Sequence, residues 1–257
     1  MNNIFATFIK IITQARLYML ISSYDQESGQ IMSKKVKRML VILTLTIVPT
    51  VLIWLPFFAR FKTFWNIPLP VAGMATIVSN YDGPLYLAVA KTFYNSESLQ
   101  TNYQFGLPTQ YYAAHFPLFP ALIRGFGTIL GLPYAMLFIT VASSFLALLF
   151  FFKLASQFMT EKNALWLTIV FSIFPARWFI VRSIGSPEPL FLASTLASLF
   201  FFNNKKYLKA GIWGAVSILT KSPGILLFIA LLLTIILPNM KKLATNGIRT
   251  FINSLDL

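Results

Sequence analysis

Asp82 stands in Asn80-Tyr81-Asp82-Gly83-Pro84-Leu85-Tyr86-Leu87, a carboxylate among tyrosines in a strongly apolar chain. A carboxylate so placed can take the proton of an attacking hydroxyl, as a general base. It can also serve as the N-cap of the helical run that Gly83 and Pro84 open, which is the plainer role for a lone Asp-Gly-Pro. Further along, Arg177 and Arg182 precede Ser186-Pro187-Glu188-Pro189, and Thr220-Lys221-Ser222-Pro223-Gly224 supplies another cation. Arginine and lysine recognise phosphate oxygens through charge-assisted hydrogen bonds. Glu188 reads equally as their ion-pair partner, and both arginines as side chains snorkelling from a helix end. His115 is the only histidine and opens His115-Phe116-Pro117-Leu118-Phe119-Pro120, followed by Arg124. It can hydrogen-bond a substrate, or be an interfacial polar residue with no catalytic duty. A carboxylate opposite several cations is the equipment for transfer from a phosphate leaving group.

The surroundings of these residues are not those of a soluble enzyme. Hydrophobic residues make up 57% of the 257 and charged residues 11%, against about a quarter charged in ordinary soluble domains. The chain has no cysteine, which excludes disulfides and thiolate metal sites. One histidine and seven acidic residues leave little for a protein-built metal cage. No metal ligand is therefore assigned, and dependence on a free divalent metal stays open. The net charge of +14 does not point to nucleic acid, because Lys and Arg gather between apolar segments, as positive-inside topology demands.

The elements that must position the candidate residues are apolar runs of spanning length. Residues 39–59 are uncharged and follow Lys34, Lys35, Lys37 and Arg38, as in a retained signal anchor, with Pro49 and Pro56 expected to kink the helix. Further spans are expected over 134–152, 164–180 (interrupted late by Pro175 and Arg177), 189–202, 208–219 and 224–237. In 208–219, Gly211, Gly214 and Ala215 would allow close helix packing. The stretch 116–132 is apolar but carries Pro117, Pro120, Arg124 and several glycines. It is either a seventh span or a helix lying in the outer interface.

Charge chooses six. With the N-terminus cytoplasmic, Arg60, Lys62, Lys91, Arg124, Arg177, Arg182 and Lys221 are then the only cations outside, and all the other Lys and Arg lie inside. Seven spans would move Lys205, Lys206, Lys209, Lys241 and Lys242 outside. Six crossings also gather Asp82, Arg177, Arg182, Glu188 and Lys221 at one membrane face, where topology gives no reason to keep cations and ionisable groups tend to be functional.

Three parts follow. Residues 1–31 make either a cytoplasmic interfacial helix, with Ile4, Phe5, Phe8, Ile11 and Ile12 on one face, or an extension before a natural start at Met32. Residues 32–240 form an all-α polytopic module whose long first outer loop, 60–133, is too rich in apolar and aromatic residues to be disordered and should fold against the outer leaflet as short helices. Residues 241–257 form a cytoplasmic tail.

The motifs around Asp82, His115, Glu188 and Lys221, in this order, resemble those of the GT-C fold membrane glycosyltransferases. The resemblance is greatest to the family that adds the second mannose of GPI anchors and to its bacterial relatives, and it covers about residues 35–240. It implies an integral membrane enzyme, in the cell membrane or the endoplasmic reticulum, that moves a mannose-like hexose from a polyprenyl-phosphate donor to an acceptor hydroxyl with inversion. It implies Asp82 as the base and Glu188 and Lys221 lining the same cavity. On such a mechanism Tyr81 and Tyr86 would shape the sugar pocket, Arg182 and Lys221 would meet the leaving phosphate, and His115 and Arg177 are further substrate-binding candidates. Donor lipid, a glycan, lipid or protein acceptor, membrane lipids and a partner subunit are the partners it implies. Two departures stand out: family members usually have more spans, and Lys221 replaces an expected arginine. A transporter or lipid-carrier flippase, and a non-catalytic or truncated subunit, are the other classes compatible with the sequence.

Overall fold

An apolar run without charge after Arg38 makes the first helix, α1 (Lys34–Phe58), 25 residues that continue through Pro49 and Pro56. The structure, a computed structural model, describes residues 34–237 apart from positions 104 and 175. The expected segment 1–31 and the tail 241–257 lie outside the described residues. The chain falls into two compact units, Met1–Leu45 and Thr46–Leu257, and the packing described below lies within the second.

After α1 come a two-residue hairpin, β1 (Thr63–Phe64) with β2 (Ile67–Pro68), then α2 (Met74–Val78), α3 (Gly83–Thr92), α4 (Ser96–Asn102) and a 3₁₀ turn over Thr109–Ala114. The remainder is helical: α5 (Leu118–Leu130), α6 (Leu132–Ala155), α7 (Glu161–Ile173), α8 (Ala176–Val181), α9 (Glu188–Asn203), α10 (Tyr207–Thr220) and α11 (Gly224–Ile236). The short helices expected over 60–133 are present, and the hairpin is an addition to them.

Among the described residues, α1 and α6 are the two helices long and apolar enough to cross a membrane. At about 1.5 Å per residue each exceeds a hydrocarbon core of roughly 30 Å. The other expected spans are shorter. The run 164–180 is two helices, α7 and α8, with the break at Phe174, whose φ of −129° and ψ of 138° are extended. The following proline dictates this, since its ring excludes the helical conformation from the residue before it. Helices α9, α10 and α11 have 16, 14 and 13 residues. The ambiguous run 116–132 is α5, 13 residues, which turns at Gly131 and packs back along α6.

The main core is built where α3, α5, α6 and α9 meet. Tyr86, Ala90, Phe119, Ile123, Ala135, Met136, Ile139 and Leu190 form one buried cluster there. A second cluster, Ile77, Leu137 and Ile184, takes in Trp54 and Phe57 of α1, and Trp54 Nε1 donates to the Ser183 carbonyl at 2.6 Å. Helices α9 and α10 meet along Ala210, Gly214 and Ser217. Ser198 donates to the Ala210 carbonyl at 2.8 Å, Thr195 and Ser217 share a hydrogen bond at 3.0 Å, and a side chain on Gly214 would touch Ser198. Of the small residues expected to permit close packing, Gly214 does so, while Gly211 faces open space.

Candidate active site

Tyr81 and Asp82 enter the site from the turn before α3. Tyr81 takes a left-handed conformation, φ 49°, and Asp82 occupies the N-cap position without a capping hydrogen bond from its side chain. The carboxylate, on an exposed residue, is thus not spent on the role that the sequence offered as its plainer one. Gly83 is required here by contact: a Cβ at this position would lie 2.0 Å from the Val78 carbonyl oxygen. Only glycine lets the chain turn this closely against α2 before entering the helix.

Arg177, on α8, and the turn from Val181 to Glu188 form the facing wall. A Cβ at Gly185 would meet the flexible end of the Met136 side chain, Cε at 2.1 Å, which would have to shift. Thr140 of α6 holds this turn: its hydroxyl accepts from the Ser186 N–H at 3.2 Å and shares its one proton between the Met136 carbonyl at 3.0 Å and the Ser186 carbonyl at 3.1 Å. Glu188 opens α9 and pairs with Lys221, which caps the end of α10, at 2.8 Å. The second Glu188 oxygen accepts from the Ser186 hydroxyl. Lys221 retains further N–H donors for a ligand.

These pieces surround one small cleft of about 80 Å³, lined among others by Tyr81, Asp82, Tyr86, Arg177, Glu188 and Lys221. Arg177 lies with its guanidinium 5.9 Å from the centre of the Tyr81 ring. Tyr86 is buried, and its hydroxyl pKa is pushed up by desolvation first and then by the charges of Glu188 and Asp82. It stays protonated at neutral pH and is a donor. Two carboxylates, two cations and two phenols therefore share one opening, with one carboxylate, Glu188, already paired to Lys221. Among the described residues no group of three or more His or acidic side chains could hold a metal ion.

Two of the expected site residues lie elsewhere. His115 is buried behind Tyr86, the two rings edge to face at 4.7 Å, and it does not line the cleft. Tyr94 donates its hydroxyl to the His115 carbonyl. His115 Nδ1 has no hydrogen-bond partner among the described residues. Burial lowers the imidazole pKa, only partly opposed by the Asp82 charge and by backbone hydrogen bonds. The ring is neutral at pH 7 and serves the site as the support of Tyr86.

Arg182 is the larger departure. It is fully buried, and its guanidinium reaches the carbonyls of Ser172 at 3.0 Å and Thr46 at 3.4 Å. Thr46 is the midpoint of α1. Arg182 therefore points into the helix bundle and not into the cleft. It stands five positions beyond Arg177, and the sequence could not divide them: both are arginines at a helix end. Conversely, Ser186 and Thr140 were missed as site-building residues. Ser186 carried a signal, two positions before Glu188 in a Ser-Pro-Glu-Pro turn. Thr140 carried none, because it lies within the apolar run of α6.

No protein-family model, curated protein or solved structure matches this chain.

Proposed function

We propose that the chain is a multi-pass membrane glycosyltransferase of the GT-C kind, working at the non-cytoplasmic face on a polyprenyl-phosphate-linked, mannose-like hexose. The observation that carries this reading is the convergence of Asp82, Tyr86, Arg177 and Lys221 on one cleft from three segments far apart in the chain. In this reading an acceptor hydroxyl enters beside Asp82. Its oxygen attacks the anomeric carbon while the bond from that carbon to the phosphate oxygen breaks and the phosphate departs with the electron pair. Asp82 takes the hydroxyl proton. Arg177 and Lys221 meet the charge that grows on the phosphate, and Tyr86 donates a hydrogen bond from a preset position. Arg177 takes the part that the sequence had offered to Arg182. A cleft of about 80 Å³ holds the reacting end of such a donor, while its lipid stays in the bilayer.

The proposed topology has six crossings with the N-terminus cytoplasmic: α1, α6, α7 with α8, α9, α10 and α11. The shorter helices cross with their polar ends, including Asn203, Lys205 and Lys221, drawn towards the headgroups, a mismatch of modest cost per ångström. The chain is naturally free of cysteine, so single cysteines added near 82 and 221 should react with an impermeant reagent from outside, and one near 205 should not. The reverse pattern sinks the topology.

The chemistry is tested with membranes and labelled polyprenyl-phosphate hexose. Wild-type protein should transfer the sugar, and Asp82→Asn should lose about 10²- to 10⁴-fold while inserting normally. Undiminished transfer by Asp82→Asn removes the base from the mechanism. A second reading rests on Arg182. An ionisable side chain held at mid-depth of a spanning helix is a usual mark of substrate or lipid pathways, which favours a transporter or lipid-carrier flippase. Movement of the labelled lipid across vesicles, without sugar transfer, would establish that reading in place of the first.

A further inference from the structure

Directly after α1 the chain makes an excursion with the composition of a membrane anchor. The helix ends at Phe58, and its hydrogen-bonding continues through Ala59 N–H to the Leu55 carbonyl and Phe61 N–H to the Pro56 carbonyl. The strands Thr63–Phe64 and Ile67–Pro68 then pair, Phe64 opposite Ile67, and the Leu69 N–H closes onto the Lys62 carbonyl at 2.9 Å. Trp65 and Asn66 at the tip both have positive φ, 50° and 62°, as a tight two-residue hairpin turn demands. The chain returns to its root at Gly73, where a Cβ would stand 3.1 Å from the Phe57 carbonyl oxygen and 3.5 Å from Arg60 Cγ. Residues 61–72 are therefore pinned at both ends to the end of α1.

Most side chains of this excursion are apolar, and nearly all are exposed. Trp65 is 80% exposed, Ile67 63% and Val71 94%, with Phe61 and Phe64 also exposed. Arg60 and Lys62 stand at the root. Exposed aliphatic and aromatic side chains clustered within a dozen residues are costly in water. Tryptophan at the tip and cations at the base are the distribution found at a bilayer interface, where indole sits at headgroup level and cations meet lipid phosphates. Distance agrees: β1 starts five residues beyond Phe58, and an extended chain reaches at most about 3.6 Å per residue. The hairpin cannot leave the neighbourhood of the boundary at which α1 ends.

We propose that residues 61–72 are an interfacial anchor whose Trp65, Ile67 and Val71 side chains enter the outer leaflet of the bilayer that α1 crosses, with Arg60 and Lys62 on its phosphates. Depth is limited by the backbone. A two-stranded hairpin has open edges whose N–H and C=O groups need water or headgroups, so the peptide stays at the interface and only side chains enter the hydrocarbon. The anchor fixes the height of the segment that leads through α2 to Asp82. The inference rests on α1 crossing the membrane and not on the transfer chemistry.

The absence of native cysteine permits a direct measurement. The full chain carrying Ile67→Cys or Val71→Cys, with Gln100→Cys on exposed α4 as reference, is nitroxide-labelled and reconstituted in phosphatidylcholine–phosphatidylglycerol vesicles. Collision with dissolved oxygen is then compared with collision with a water-soluble nickel chelate. Labels at 67 and 71 should favour oxygen several-fold relative to the label at 100. Nickel access equal to that at 100 overturns the anchor, as does shielding from both reagents, which would mean that protein covers the hairpin. Loss of sugar transfer in other tests leaves this result untouched, and an aqueous hairpin leaves the Asp82 reading standing.

Discussion

Arg177 lies in the first turn of α8 and Arg182 just past its end, and the regions they belong to differ in exposure and in what they bind. Arg177 is exposed and shares a cleft with Asp82, Tyr81 and Lys221. Arg182 is wholly buried, held by backbone carbonyls at the level of the middle of α1, in a bundle that also buries Thr46, Thr50, Thr140, Ser144, Thr168 and Ser172. In the cleft the charges can be offered to a ligand. In the bundle charge and hydroxyl groups are turned on the protein itself: Thr50, Thr168 and Ser144 donate to carbonyls one helical turn back. Charge type therefore does not decide role; the direction in which a side chain leaves its helix does.

The contrast is sharpest in unfolding. Arg182→Ala removes the largest of the fully buried side chains and should cost about 2–5 kcal/mol, as large core truncations do. Arg177→Ala should stay within about 0.5 kcal/mol of wild type while lowering the proposed sugar transfer. Denaturation in detergent micelles measures both, and equal losses would erase the distinction between the regions.

A smaller effect belongs to Lys221. Its pair with Glu188 is about a third exposed on each side, so solvent screens it. Lys221→Met should destabilise by only about 1 kcal/mol, yet lower transfer by about tenfold or more if Lys221 meets the leaving phosphate. A variant that loses stability and keeps full transfer assigns the pair to structure alone.

The smallest effect is in pH. Burial holds His115 neutral, so the folded chain takes up this proton at lower pH than the unfolded chain, whose imidazole pKa is about 6.5. The stability tied to this group is complete above that value and is lost as the pH falls through it towards the folded-state value. The thermal midpoint should therefore drop between about pH 7.5 and about pH 5.5, and drop less in His115→Gln. Identical slopes in the two proteins would show that His115 does not titrate with unfolding.

How far the site was legible in the sequence depends on the kind of residue. Asp82, Tyr81, Tyr86, Glu188 and Lys221 stood out as polar groups beside Gly and Pro at the ends of apolar runs, and the structure brings all of them to one cleft. The hairpin was not legible. Thr63-Phe64-Trp65-Asn66-Ile67-Pro68 lacks the glycine that usually marks a two-residue turn, and strands of two residues leave no alternation to detect.

By itself the sequence determined that apolar helices dominate, where prolines and glycines interrupt them, and which ionisable groups lie near their ends. These follow from side-chain hydropathy and local backbone sterics, which act over a few residues. Only the tertiary structure decided that Arg177 opens to the cleft while Arg182 turns inward, that His115 supports Tyr86, and that Thr140 clamps the turn carrying Glu188. Each depends on which helix lies across from which, a matter of contacts between residues dozens of positions apart that no local pattern encodes.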